Sequence, residues 1–211
     1  MAKQTKGSTH SPTQGGTETS RRLDALGTTA LLSYLLVGGL LVFGFALAIF
    51  PAVEAQNAAA CKPLRPEARP GPAPEFVVQD LEGNEVRLSD FRGKFVVINF
   101  WATFCEPCIT EWPQVERLAE RVADREDIVV LAISIDPERD PIEPFLEQMA
   151  LTDTEVQVLW DPTESVHNAF GTTNIPDTYF VDEEGQIVHA FVNVRDWGSP
   201  DAYHCLDSVA G

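Results

Sequence analysis

Residues 30–50 of this chain, ALLSYLLVGGLLVFGFALAIF, are 21 consecutive positions without a charge. At about 1.5 Å per residue, a helix of that length crosses a hydrocarbon core of roughly 30 Å. Arg21 and Arg22 stand just before the run, and the first basic residue after it is Lys62. The positive-inside bias therefore puts the N-terminus in the cytoplasm and everything after Pro51 outside. A cleaved signal peptide competes with this reading, because Val53-Glu54-Ala55 resembles a small-residue cleavage site. The apolar run is too long for that, since signal peptides carry cores of about 7–15 residues, so a retained anchor is expected. Lipidation at Cys61 is disfavoured because no large aliphatic residue stands three positions before it.

The run also divides the charge. Before it stand Lys3, Lys6, Arg21 and Arg22 against Glu18 and Asp24; after it come 11 basic residues against 30 acidic ones. A net charge of -17 without a basic stripe excludes a nucleic-acid partner, which needs clustered Lys and Arg to displace counterions. Residues 1–29 are expected to lack fixed structure. In 51–74, Pro63, Pro66, Pro70, Pro72 and Pro74 predict an extended spacer holding the folded part off the membrane.

Residues 75–208 are expected to form one domain. Apolar 76–78 and 86–88 flank Glu82-Gly83-Asn84, the pattern of a hairpin. Residues 95–100 are nearly all apolar, as in a strand buried on both faces. Ile109, Trp112, Val115, Leu118, Ala119 and Val122 then recur at helical spacing, with Glu116, Arg117, Glu120 and Arg121 opposite. A second buried strand over 128–135 completes a β-α-β unit with parallel strands. A short helix near 144–150, a strand near 156–160 and a helix near 164–170 follow. A hairpin of 178–181 and 187–192 and a last helix from about Pro200 close the chain.

Cys105-Glu106-Pro107-Cys108 falls where the buried strand meets the first helix. Helix N-terminal N–H groups and the positive end of the dipole stabilise a thiolate, which makes Cys105 the nucleophile. Cys108, nearly one turn on, is placed to attack a mixed disulfide and release the reduced substrate. Half of a structural zinc site is the alternative, but there is no second C-x-x-C, and adjacent His204 and Cys205 suit one tetrahedral ion poorly. His10, His167 and His189 have no partner at metal-ligand spacing, so neither metal nor cofactor is expected. The acidic residues near Asp136 and Glu183 read as solvated loops. Cys61 and Cys205 are left over, as a disulfide stapling the spacer to the domain, as two free thiols, or as an intermolecular bridge.

The string Val97-Ile98-Asn99-Phe100-Trp101-Ala102-Thr103-Phe104-Cys105-Glu106-Pro107-Cys108, with Glu111, Pro113 and the later Asn174-Ile175-Pro176-Asp177-Thr178, resembles the TlpA/ResA-like membrane-anchored thiol-disulfide oxidoreductases of bacteria. The resemblance covers essentially all of 75–208. It implies an α/β thioredoxin-like fold: a central mixed sheet flanked by helices, with an N-terminal β-hairpin and a central insertion, after one transmembrane helix. It implies further that Pro176 is cis and lies beside the cysteines, so that Ile175 offers a backbone edge to an extended substrate. Glu111 becomes an acid that takes or returns the proton of Cys108, since Asn99 stands where thioredoxin itself has a buried aspartate and cannot titrate. Trp101 and Phe104 are expected to shield the pair and pack against substrate and, as aromatic residues at a strand end, in part simply to join the core, with Pro107 also meeting the substrate.

Glu106 places a negative charge between the cysteines, which disfavours the thiolate and so points to a reductase. The resemblance places the domain in the periplasm, on the bacterial inner membrane. Its implied partners are disulfide-bearing periplasmic proteins, among them proteins of cytochrome c maturation or respiratory oxidase assembly, and a membrane electron donor. Two other readings use the same pair: a Cu(I) metallochaperone, whose soft thiolates hold the ion although no Met or His flanks them, and a thiol peroxidase, although the T-x-x-C context is missing at Cys105.

Overall fold

A computed structural model describes residues 17–211 of the chain. The first element, α1, is a helix over Thr17–Ala60. Within it Ala30–Ile49 is long and apolar enough to cross a membrane. The helix exceeds the expected span at both ends. Residues 17–29, expected without structure, continue it, as helix propagation from an established apolar segment favours; residues 1–16 lie outside the described residues.

Ala55–Gly211 forms a compact unit of its own. Its eight strands make one sheet: β1 Gly71–Pro72, β2 Val77–Asp80, β3 Glu85–Arg87, β4 Phe95–Trp101, β5 Ile128–Ser134, β6 Gln157–Trp160, β7 Asp177–Val181 and β8 Gln186–Val192. Their order is β1-β8-β7-β4-β5-β6-β2-β3. β4, β5 and β6 run parallel, and every other pairing is antiparallel. The four remaining helices are α2 Glu106–Val122, α3 Ile142–Gln148, α4 Ser165–Ala169 and α5 Pro200–Val209. This is the expected mixed sheet flanked by helices, with β2 and β3 as the N-terminal hairpin. The insertion of α3, β6 and α4 between β5 and β7 supplies the strand on which that hairpin docks.

All seven residues of β4 are buried, and their alternation explains why. Phe95, Val97 and Trp101 join the core beneath α2, whereas Val96, Ile98 and Phe100 join the core on the other face. Asn99 shares the α2 face, opposite Thr178 on β7. α2 presents Cys108, Glu111, Trp112, Val115, Leu118, Ala119 and Val122 to that core. These side chains recur every three or four residues, so one helical face carries both the packing and two groups of the site.

The spacer differs from expectation. Residues 51–60 belong to α1, and 61–74 pack on the domain where a free extended segment was expected. Cys61 is fully buried, Leu64 is 6% exposed, the Glu67 N–H donates to the Ala190 carbonyl at 2.7 Å, and β1 pairs with β8. The prolines do exclude α-helix and central strand here, but an edge strand tolerates Pro, and Pro72 sits on that edge. Buried apolar contacts and one cross-link outweigh the stiffness read from composition.

Candidate active site

The chain leaves β4 at Trp101 and enters α2 at Glu106, which makes Cys105 the helix N-cap in extended conformation (φ -91°, ψ 100°). The Cys108 backbone N–H donates to Cys105 Sγ at 3.2 Å. Pro107, in the first turn, has no N–H to leave unpaired. The two sulfurs are joined in a disulfide with the Cα atoms 5.2 Å apart. Cys105 keeps 8% of its surface and Cys108 1%, so an incoming reagent meets Cys105 first. Once the bond is reduced, that N–H and the positive end of α2 favour a thiolate on Cys105.

Cys105 Sγ lies 3.7 Å from the carbonyl oxygen of Ile175, and the Ile175–Pro176 peptide is cis. Ile175 is half-buried and Pro176 is buried just before β7. Phe104 is 67% exposed and Pro107 is exposed, so both are open to a partner. Trp101 is not. It is fully buried, edge-on to Trp112 at 4.8 Å between ring centroids and against Phe145 at 5.1 Å. Strand alternation turns it toward α2, which corrects the expectation that it meets the substrate.

Glu111 is one turn beyond Cys108 on the same face and is 1% exposed. Its Oε1 accepts the backbone N–H of Arg195 at 2.7 Å and the indole N–H of Trp197 at 2.9 Å. Its Oε2 accepts the side-chain N–H of Asn99 at 3.1 Å. Burial pushes its pKa up from 4.5 to about 7, and the three donors and the Arg195 charge pull the other way without offsetting it. A carboxyl that titrates near neutrality beside the buried cysteine can take a proton and give it back.

Several residues around the pair escape a reading of the sequence. Asp136, expected in a solvated loop, is 1% exposed. It accepts the N–H of Thr103 at 3.0 Å and the hydroxyls of Thr103 and Ser134 at 2.6 Å each, which pins the turn that leads to Cys105. Its signal was position: Ser134 and Asp136 alternate at the carboxyl end of a parallel strand, where α/β sheets place their sites. Asp177, directly after Pro176, is buried, accepts the Asn193 N–H at 3.1 Å, and has its pKa raised by burial from 3.8 to about 6. Of the fates open to Cys61 and Cys205, the structure has the disulfide, with Cα atoms 4.5 Å apart across 144 residues of sequence. Among the described residues, no group of three or more His, Cys, Asp or Glu side chains is placed to hold a metal ion.

Residues 71–190, which include the cysteine pair and Pro176, match the AhpC/TSA family. The thiol-disulfide oxidoreductase ResA of Geobacillus thermodenitrificans is 36% identical over 115 residues, which are 54% of this chain and 64% of that protein. The solution structure of a thiol:disulfide interchange protein from Bacteroides sp. superposes with a TM-score of 0.57 at 26% identity, over 68% of this chain and 90% of that one. A thioredoxin family thiol:disulfide interchange protein from Chlorobium tepidum TLS shares the fold, with a TM-score of 0.57 at 24% identity, over 69% and 99% of the two chains. With its mixed sheet, its cysteine pair at the head of α2 and the cis proline facing it, the chain belongs to the AhpC/TSA family, as a ResA-like member of the thioredoxin superfamily.

Proposed function

We propose that the chain is a thiol-disulfide oxidoreductase that reduces disulfides of proteins outside the cytoplasmic membrane, to which Ala30–Ile49 anchors it. The reading is carried by the Cys105–Cys108 pair at the N-terminus of α2, with the sulfur of the more exposed cysteine near the Ile175 carbonyl and the buried cysteine one helical turn from Glu111. In the reduced protein the Cys105 thiolate attacks a substrate disulfide, forming a mixed disulfide and expelling one substrate thiolate. Glu111, as carboxylate, takes the proton of Cys108. The Cys108 thiolate then attacks Cys105 Sγ, which restores the Cys105–Cys108 bond and frees the second substrate thiolate. The two electrons have passed to the substrate, and a membrane electron donor must return them.

An extended segment beside Cys105 is recognised through the backbone at Ile175 and the apolar faces of Phe104 and Pro107. The N-terminus is assigned to the cytoplasm and the domain to the outer side on the distribution of Arg and Lys about the apolar run, and that outer side to the periplasm on the family resemblance. Proteins awaiting cofactor insertion in cytochrome c maturation or respiratory oxidase assembly are the proposed substrates, on the strength of the family resemblance. Cys108→Ser, expressed in cells, should trap the physiological partner as a mixed disulfide with Cys105. Absence of any adduct, or a reduction potential more oxidising than about -180 mV, would overturn the reductase reading.

A further inference from the structure

The loop between β8 and α5 delivers both donors that meet Glu111 Oε1: the backbone N–H of Arg195 and the indole N–H of Trp197. The side chain of Arg195 ties this loop to residues 64–65. Its Nε donates to the Leu64 carbonyl at 2.6 Å, Nη1 to the Asn193 and Val194 carbonyls at 3.1 and 2.9 Å, and Nη2 to the Arg65 carbonyl at 3.5 Å. Among the described residues Arg195 has no carboxylate within ion-pair distance, so its bonds are spent on main chain from two segments far apart in sequence.

Leu64 and Arg65 belong to the strap that follows α1. Residues Lys62–Leu64 form a single 3-10 turn whose N-cap is Cys61, and the Leu64 N–H donates to the Cys61 carbonyl at 3.0 Å. Cys61 is bonded to Cys205 on α5, the helix that the Arg195 loop enters. The covalent bond therefore fixes the carbonyl that Arg195 grips, and Arg195 fixes the N–H that Glu111 accepts. We propose that Arg195 is the positioning residue of Glu111 and that the Cys61–Cys205 disulfide acts on the site through it, as a brace between the strap, the loop and the acid–base carboxylate.

The proposal rests on the role given to Glu111 above and adds what sets that residue's position. The groups bonded to the Glu111 carboxyl are Asn99 on β4 and Arg195 and Trp197 on the loop, with Cys108 one turn earlier on α2; Arg195 brings the one positive charge among them. Replacing its guanidinium disfavours the carboxylate, whereas Lys keeps the charge and a donor.

The test uses the full chain in detergent micelles with Cys105–Cys108 oxidised, so that neither readout depends on turnover. The Glu111 carboxyl is titrated by carbon-13 NMR in wild type, Arg195→Met and Arg195→Lys. Exchange of the 193–197 amides is followed in wild type and in Cys61→Ala/Cys205→Ala. Arg195→Met is expected to move the titration upward by about half a pH unit or more, with Arg195→Lys close to wild type. The double cysteine variant is expected to exchange those amides about tenfold faster or more through local opening, while the β4 amides report separately on the global stability lost with the bond. An Arg195→Met titration that superimposes on wild type, or loop amides that exchange at the wild-type rate without the disulfide, would overturn the brace. A chain that shows both expected effects but fails to reduce disulfides would keep the brace and overturn the proposed function.

Discussion

Asn99 on β4 donates its side-chain N–H to the Glu111 carboxylate across 3.1 Å and to the Thr178 hydroxyl oxygen at 2.9 Å. The central strand thus supplies a group that cannot titrate, and the helix supplies the one that can. An aspartate at 99 would set two carboxyls in one buried site, where they share a proton at neutral pH. Asn99→Asp is expected to cost about 2–4 kcal/mol of stability at pH 8 and less at pH 5. Urea unfolding at both values checks this, and an equal loss at the two would remove the electrostatic explanation.

Glu111 also predicts the pH dependence of folding. Its folded pKa is raised, from 4.5 to about 7, so between those values the native state holds a proton that the unfolded chain has released. Its contribution to stability is therefore full below about pH 4.5 and is lost as pH rises through 7. Relative to wild type, Glu111→Gln should gain stability across that window, by at most about 3 kcal/mol at pH 8. Asp177, raised to about 6, acts in the same sense but is present in both proteins and cancels in the comparison. Denaturant midpoints that run parallel for the two proteins from pH 4 to 8 would contradict the assignment.

The Cys61–Cys205 bond closes a loop across 144 residues, so chain entropy alone assigns it about 5 kcal/mol, with 2–5 kcal/mol as the usual range. Cys61→Ala/Cys205→Ala should lower stability within that range and leave the Cys105–Cys108 bond in place. Non-reducing peptide maps and unfolding curves read out both effects.

Phe104 leaves 67% of its surface in water beside the more exposed cysteine. Phe104→Ala should change stability by less than about 0.5 kcal/mol, since little packing is lost. It should raise KM for a protein disulfide several-fold and leave reaction with a small-molecule disulfide near wild type. If both reactions slow equally, Phe104 serves the chemistry of the pair rather than the docking of a partner.

Elements set by local pattern appear close to where periodicity puts them. The buried strand read over 95–100 is Phe95–Trp101, the helix that begins at the cysteine pair is Glu106–Val122, and the last helix starts at Pro200. Cys105 and Cys108 were legible because strand, helix start and three-residue spacing are all contiguous. For Trp101 the sequence leaves core and substrate contact open, because it shows an aromatic residue beside a cysteine and not the strand face from which it projects. Asp136 was misread because an acidic residue after a strand looks solvated until Thr103 and Ser134 close on it.

The sequence by itself determined an apolar segment able to span a membrane, a β-α-β core and a cysteine pair at a helix start, because each follows from interactions between residues a few positions apart. The tertiary structure alone decided that the proline-rich strap lies on the domain, that Cys61 meets Cys205, and that Arg195 and Trp197 converge on Glu111 from 84 and 86 residues away. Those contacts carry no periodicity. They exist because the folded sheet brings distant chain segments together and because a buried carboxylate must find its donors wherever the fold supplies them.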